Sequence, residues 1–328
     1  MEEVLPEGKH FKLVKEEELP DLLDLLGNYL PDSIKFHQTV KTYMTDRVWN
    51  FHFYVAKNWP DEMVALHFPG MTSTPEGNLY ASFAVFCPND RLDDLQLLFD
   101  EDTLIDWARP ISLNFTHADI VARMEEFYEG RGQVEKLYGD IYSLMDNVLV
   151  EEDEIDTTFP EGAEMQQLTP EYAVEIHDLY PANHMESVEV FGRLMERLPC
   201  YGVFSSEGEL AAWMVQSYYG AMFSMQTKPE FRRKGYGIRL AKCLTNAVTK
   251  RGYIPFVVIR PENDASQSLY AKLGFKKYFQ TVRAILRPHE LASDEQGGGG
   301  DERHARTRAV SSPAHQQMHT QQTKSEHN

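Results

Sequence analysis

The sequence predicts an α/β protein of the α+β kind, a mixed, mostly antiparallel sheet flanked by helices, with a second α/β domain ahead of it. Three observations carry this. Short apolar runs of strand length alternate with amphipathic helical stripes along the chain. Glycines and prolines mark most changes of period, as turns and helix ends require. One basic, glycine-punctuated turn, running from Lys228 to Gly237, joins an apolar strand to a helix. At 328 residues the chain has room for two cores of ordinary size.

In chain order, Glu16 to Leu30 is read as a helix, with Leu19, Leu22, Leu23 and Leu26 on one side. Strands are expected at Val48 to Val55, Met63 to Phe68 and Leu79 to Cys87, and helices at Asn89 to Phe99, Ala118 to Tyr128 and Val134 to Val148. Residues 1–150 therefore read as an N-terminal α/β domain. The acidic run Glu151 to Asp156 has no apolar period and sets a linker at 151–162.

Residues 163–288 form the second expected domain. A strand at Met165 to Leu168 is followed by helices at Pro170 to Tyr180 and Ser187 to Leu198. A hairpin from Cys200 to Val215 turns at Glu207 and Gly208. The strand Met222 to Thr227 enters the basic turn, and Ile238, Ala241, Leu244, Ala247 and Val248 form the stripe of the helix leaving it. Gly252 stands where a C-cap glycine belongs, after Lys250 and Arg251 at the negative end of the dipole. A buried strand, Ile254 to Ile259, and a capped helix from Asn263 to Gly274 complete the reading. From 289 to 328 the composition turns polar, with four glycines at 297–300, as in a disordered tail. Its histidines, His304, His315, His319 and His327, lack the spacing of a metal site.

Composition limits the function. The formal net charge of −19 argues against nucleic acid or an anionic membrane as partner and favours a small amine. Against it, Lys228, Arg232, Arg233 and Lys234 concentrate positive charge at the glycine turn. Cys87, Cys200 and Cys243 are odd in number and scattered, which gives neither a disulfide framework nor a metal motif, so no metal is expected. The first residues are acidic and show no leader pattern, and no apolar run approaches the roughly 20 residues of a membrane span. A cytoplasmic address is expected.

The spacing Arg232, Gly235, Gly237, or R-x-x-G-x-G, suits a pyrophosphate, because glycines admit close approach and a helix N-terminus presents N–H groups. It is neither a G-x-x-x-x-G-K nucleotide loop nor a G-x-G-x-x-G dinucleotide turn. Downstream, Asn263, Ser266, Tyr270, Gly274 and Phe275 form N-x-x-S-x-x-x-Y-x-x-x-G-F. This pair of motifs, with the order β-α-α-β-β-β-α-β-α-β, resembles the GNAT superfamily of CoA-dependent acetyltransferases.

Within that superfamily the chain resembles the glycine N-acyltransferase family over roughly residues 16 to 285. The likeness rests on Leu30 to Lys35, Ala56 to Asp61, Leu198 to Trp213 and the P-E-F-R of Pro229 to Arg232. The resemblance implies a GNAT fold, with the first half a degenerate GNAT-like unit. Asn89 to Asp94 carries no glycine, so the acyl-CoA or acetyl-CoA co-substrate is assigned to the second half alone. It leaves a mitochondrial address open.

The resemblance also implies roles. Met225, Gln226 and Thr227 would bind the pantetheine arm through their backbone. Arg232, Arg233, Lys234, Gly235, Tyr236 and Gly237 would hold the pyrophosphate, with Asn263 and Ser266 in further contacts. Tyr270, whose phenol has an ordinary pKa of about 10, would protonate the leaving thiolate. Glu230 would take the amine proton, with His184 or Glu186 acting through water as the alternative. Trp59 and Trp213 read as core aromatics. The implied reaction is acyl transfer from acyl-CoA to a small amine or amino acid such as glycine by direct attack. An arylalkylamine or polyamine N-acetyltransferase and a non-catalytic acyl-CoA-binding protein are the alternatives.

Overall fold

The computed structural model describes residues 7–69, 82–145, 159–181, 183 and 186–289. The expected tail and most of the expected linker, 151–158, lie outside them. The first half runs β1 Phe11–Leu13, α1 Leu19–Gly27, α2 Ile34–Thr45, β2 His52–Ala56, β3 Ala65–Phe68, β4 Ser82–Phe86, α3 Gln96–Phe99, β5 Ile111–His117, α4 Ala118–Tyr128 and β6 Gly132–Ser143. The second half runs β7 Glu164–Gln167, α5 Ala173–Leu179, α6 Val188–Arg197, β8 Cys200–Phe204, β9 Leu210–Gln216, β10 Met222–Thr227, α7 Tyr236–Lys250, β11 Phe256–Ile259, α8 Asp264–Lys272 and β12 Lys276–Pro288. The two halves repeat one order of elements.

Local signals in the second half act as read. Gly208, with φ 80°, makes the β8–β9 turn, and Gly252, with φ 78°, ends α7. Ser187 caps α6 by accepting from the Val190 N–H. Of the expected α7 stripe, Ala241, Leu244 and Val248 are fully buried and Ile238 and Ala247 half-buried, while Leu240 joins the buried face. Trp213 is buried as expected, and Trp59 packs against the same cluster.

The first half departs from expectation in four places. Val134 to Val148 was expected as a helix, but 132–143 is the strand β6, paired from Lys276↔Ser143 to Pro288↔Gly132 with β12. Its Val134, Tyr138, Ile141 and Tyr142 suit a pleat, and the decisive partner lies far along the chain. Three elements, β1, α2 and β5, had no counterpart in the reading. Thr39, Thr42 and Gln38 are all buried on α2 and blur its apolar stripe.

The sheet order explains how the halves meet. One sheet runs β1-β2-β3-β4-β5-β12-β6-β11 and the other β10-β9-β8-β7. The last strand of the second half, β12, pairs with β5 of the first, while β6 of the first pairs with β11 of the second. Each half thus gives its final strand to the other, and residues 7–289 belong to one compact unit. The expected boundary at 151–162 separates two repeats in sequence that the exchange joins in space. Further ties cross between the halves: the Tyr253 hydroxyl donates to Asp46 Oδ2 at 2.5 Å, Arg251 pairs with Asp46, and the Ile254 N–H donates to Gln38 Oε1 at 3.0 Å.

His67 lies 3% exposed beside Phe36, Phe51 and Phe53, with ring centroids 6.3, 4.7 and 5.0 Å away. Burial holds its pKa well below the ordinary 6.5, with Lys35 and His52 acting in the same direction. The folded state keeps the imidazole neutral while the unfolded chain takes up a proton. Its contribution to stability is complete above about 6.5 and is lost as pH falls. Denaturant melts are expected to show wild type losing about 2 kcal/mol more than His67→Phe between about pH 6.5 and 5. Parallel pH curves for the two proteins would refute this.

Candidate active site

Strand β10 carries a bulge. Its register against β9 shifts between Phe223 and Gln226, and Ser224 adopts φ 53°. The bulge turns backbone groups around Met225 out of the ladder. β10 pairs with β9 but not with β11, so the sheet opens between these two strands. A cleft of about 530 Å³ fills the opening. That volume suits a small-molecule site.

At one end of this cleft is the glycine turn. Lys228 to Phe231 makes a tight 3-10 turn, Arg232 returns its Nε to Thr227 O at 3.3 Å, and Gly235 begins α7. Arg233 and Gly235 both adopt left-handed backbone, with φ 65° and 76°. For arginine this costs about 1–3 kcal/mol, a strain that gathers at ligand clamps. The first-turn amides of α7 have no carbonyl partners within the helix and lie at the positive end of its dipole. A Cβ on Gly237 would stand 3.8 Å from Leu269 and 3.9 Å from Met225 Sδ, ordinary contact. The chain itself therefore leaves room for a side chain there. A bare backbone at that position is what a diphosphate needs for close approach.

The structure gathers many of the expected residues around one cleft and sets others apart. Met225, Gln226, Thr227, Arg232, Asn263, Ser266 and Tyr270 line it together. Asn263 Oδ1 accepts from the Ser266 N–H at 3.1 Å and so caps α8. Tyr270, 3% exposed, points its hydroxyl at Met214 Sδ and Met225 Sδ, 3.9 Å from each, and burial pushes its phenol pKa up. It is a proton donor rather than an anion.

Arg233 is exposed on the turn, and Lys234 lies over the Phe231 ring at 5.6 Å. The Tyr236 side chain is buried against Phe159, which leaves only its backbone for a ligand. Lys228, read as part of the cationic turn, is instead tied to Glu175 and Glu209 at 2.9 Å each. Glu230 is exposed on the 3-10 turn and does not line the cleft. His184 lies outside the described residues.

The first half contains the matching splay. β4 and β5 pair in parallel only at Ser82↔Ser112 and Phe83↔Leu113, and then diverge around a cavity of about 30 Å³. That space holds about one water. The turn after β4 is a 3-10 helix, Asn89–Leu95, bearing Asp90, Asp93 and Asp94. It offers a diphosphate neither glycine nor a long helix.

Residues 200–284 match the family model described as FR47-like protein. No curated protein matches the sequence. A Drosophila protein of known structure superposes with TM-score 0.70 at 19% identity, over 85% of this chain and 99% of that one. A tandem GNAT protein from the clavulanic acid biosynthesis pathway superposes with TM-score 0.53 at 14% identity, over 84% of this chain and 98% of that one. The fold is a tandem GNAT fold. Its second repeat holds the open cleft, and its first repeat holds the closed one.

The far end of the GNAT cleft is built by both repeats. Phe115, Leu137, Tyr138 and Gly139 come from the first, and Tyr180, Pro181, Tyr219 and Arg283 from the second. A Cβ on Gly139 would come within 2.5 Å of Val258 Cγ1, so glycine is what lets Val258 pack against β6 here. The Nε of Arg283 is buried with no hydrogen-bond partner among the described residues. Lys35 reaches over the Tyr219 ring at 5.4 Å, and its pKa falls to about 7 through burial, then through Arg283. Glu186 interacts electrostatically with both cations. None of the lining residues at this end was read from the sequence. The available signal was a lone arginine inside the apolar run Thr281 to Leu286.

Among the described residues no three His, Cys, Asp or Glu side chains gather closely enough to hold a metal, and no helix is long and apolar enough to cross a membrane. Burial pushes the thiols of Cys87 and Cys200 up to about 12 and that of Cys243 to about 11. None is poised as a nucleophilic thiolate at neutral pH.

Proposed function

We propose that the protein is an acyl-CoA-dependent N-acyltransferase that passes the acyl group to the amine of a small acceptor such as glycine. The observation that carries this reading is a single cleft with a glycine turn at a helix N-terminus at one end and, at the other, an arginine whose buried Nε has no hydrogen-bond partner among the described residues. Arg232 and the α7 amides would hold the diphosphate, and the β10 bulge would meet the pantetheine arm and the thioester oxygen. With no activated cysteine, the amine attacks the carbonyl directly. Tyr270 stands beside β10 to protonate the departing sulfur.

The acceptor class follows from local charge rather than net charge. The described cleft lining contains Arg232, Arg260 and Arg283 and no carboxylate. A polyamine would meet cations there, whereas an amino acid can place its carboxylate against Arg283. Thiol release measured over acetyl-, benzoyl- and longer acyl-CoAs with glycine, other small amino acids, tryptamine and spermidine tests this. Turnover is expected with the amino acids. Turnover confined to tryptamine or spermidine would overturn the acceptor assignment, and acyl-CoA binding without turnover would make the protein a binding module.

A further inference from the structure

An amine bound at the far end of this cleft has to lose a proton before it can attack, and the residues lining the cleft offer no carboxylate to take it. The carboxylate coupled electrostatically to Arg283 of that lining is Glu186. It lies one residue before Ser187, the N-cap of α6, in a half-buried position. Its backbone is pinned at both groups, the N–H by Asn183 O at 3.3 Å and the carbonyl by His177 Nε2 at 2.8 Å.

The charged and titratable groups facing Glu186 come from four directions. Arg283 faces it from β12 and Lys35 from α2. Tyr218 and Tyr219 face it from the β9–β10 turn, and Tyr180 from the end of α5. Tyr180, Tyr219 and Arg283 also line the cleft, so Glu186 shares its neighbours with the acceptor site.

We propose that Glu186 is the proton acceptor for the attacking amine, the role that resemblance assigns to Glu230. This rests on the N-acyltransferase reading. The acceptor enters as an ammonium and gives one proton, relayed by a water, to a Glu186 oxygen. The freed lone pair forms the C–N bond, and the C–S bond breaks with its electron pair on sulfur. Tyr270 gives its proton to the sulfur and recovers the second ammonium proton, the third stays on the amide, and Glu186 returns its proton to water.

The electrostatics agree with this task. Burial raises the Glu186 pKa to about 7, against the opposing pull of Arg283 and Lys35. A base with that pKa is available at neutral pH and strong enough to accept. Glu230, by contrast, is exposed on the phosphate turn.

The test compares full-length wild type, Glu186→Gln, Glu186→Asp and Glu230→Gln in thiol release with acetyl-CoA and glycine across pH. Acyl-CoA affinity is measured alongside by calorimetry. Wild type should show kcat/KM rising with pH through about 7. Glu186→Gln should lose roughly 10²–10⁴-fold in kcat and lose that rise, with acetyl-CoA affinity unchanged. Glu186→Asp should keep the rise at reduced rate, and Glu230→Gln should keep the rise. An active wild type whose Glu186→Gln form keeps its rate and its pH rise refutes the role of Glu186 alone, as does loss of the rise in Glu230→Gln. Should Glu186→Gln fail to fold, a wild type or Glu186→Asp profile flat through neutral pH refutes it equally. A folded wild type that releases thiol with no amine refutes the N-acyltransferase reading itself.

Discussion

Gly237→Ala is expected to make the protein more stable and, at the same time, worse at binding acyl-CoA. Within a helix, alanine is favoured over glycine by roughly 0.5–1 kcal/mol. Its Cβ at position 237 meets neighbours only at 3.8 and 3.9 Å, so nothing in the fold opposes that gain. The methyl instead occupies the space through which a diphosphate approaches the α7 amides. Losing one charge-assisted hydrogen bond there costs roughly 1.5–3 kcal/mol, or about 10- to 150-fold in affinity. Gly235 makes a less diagnostic target. With φ 76° and a Cβ that would sit 2.5 Å from Arg239 Nη1, its substitution damages fold and binding together. Thermal melts and calorimetry on Gly237→Ala read the two opposite signs. An unchanged affinity would remove the diphosphate from this turn.

Arg283→Gln is expected to raise KM for glycine by about 10- to 150-fold, the loss of a charge-assisted bond to its carboxylate, and to leave acyl-CoA affinity alone. Glycinamide, which has no carboxylate, should lose far less. Because Arg283 pulls the Glu186 pKa down, its removal should move the rise in kcat/KM to higher pH. Wild-type KM values for both acceptors in the variant would place the acceptor carboxylate elsewhere.

The second repeat was legible because its signals are local. Arg232, Gly235 and Gly237 announce the turn, Asn263 caps the following helix, and Gly252 and Gly274 close two helices within a few residues of where they act. The first repeat was less legible because its strands depend on distant partners. β6 pairs along its length with 276–288, and only that pairing decides strand over helix. The same distance hid the acceptor end. Gly139 meets Thr281 across β6 and β12, and Arg283 gains its place in the cleft from that register. Lys228 misled for the opposite reason. Its sequence neighbours are cationic, but its spatial neighbours are Glu175 and Glu209.

The crossed final strands have a consequence for how the shape of this cleft can change. The first repeat, which has no glycine turn after β4, still shapes the far wall of the cleft through Phe115, Leu137, Tyr138 and Gly139. On the proposed reading, substitutions in the first repeat can retune which amines fit while the glycine turn and Tyr270 stay untouched. Selectivity and reactivity would then reside in different repeats of one chain.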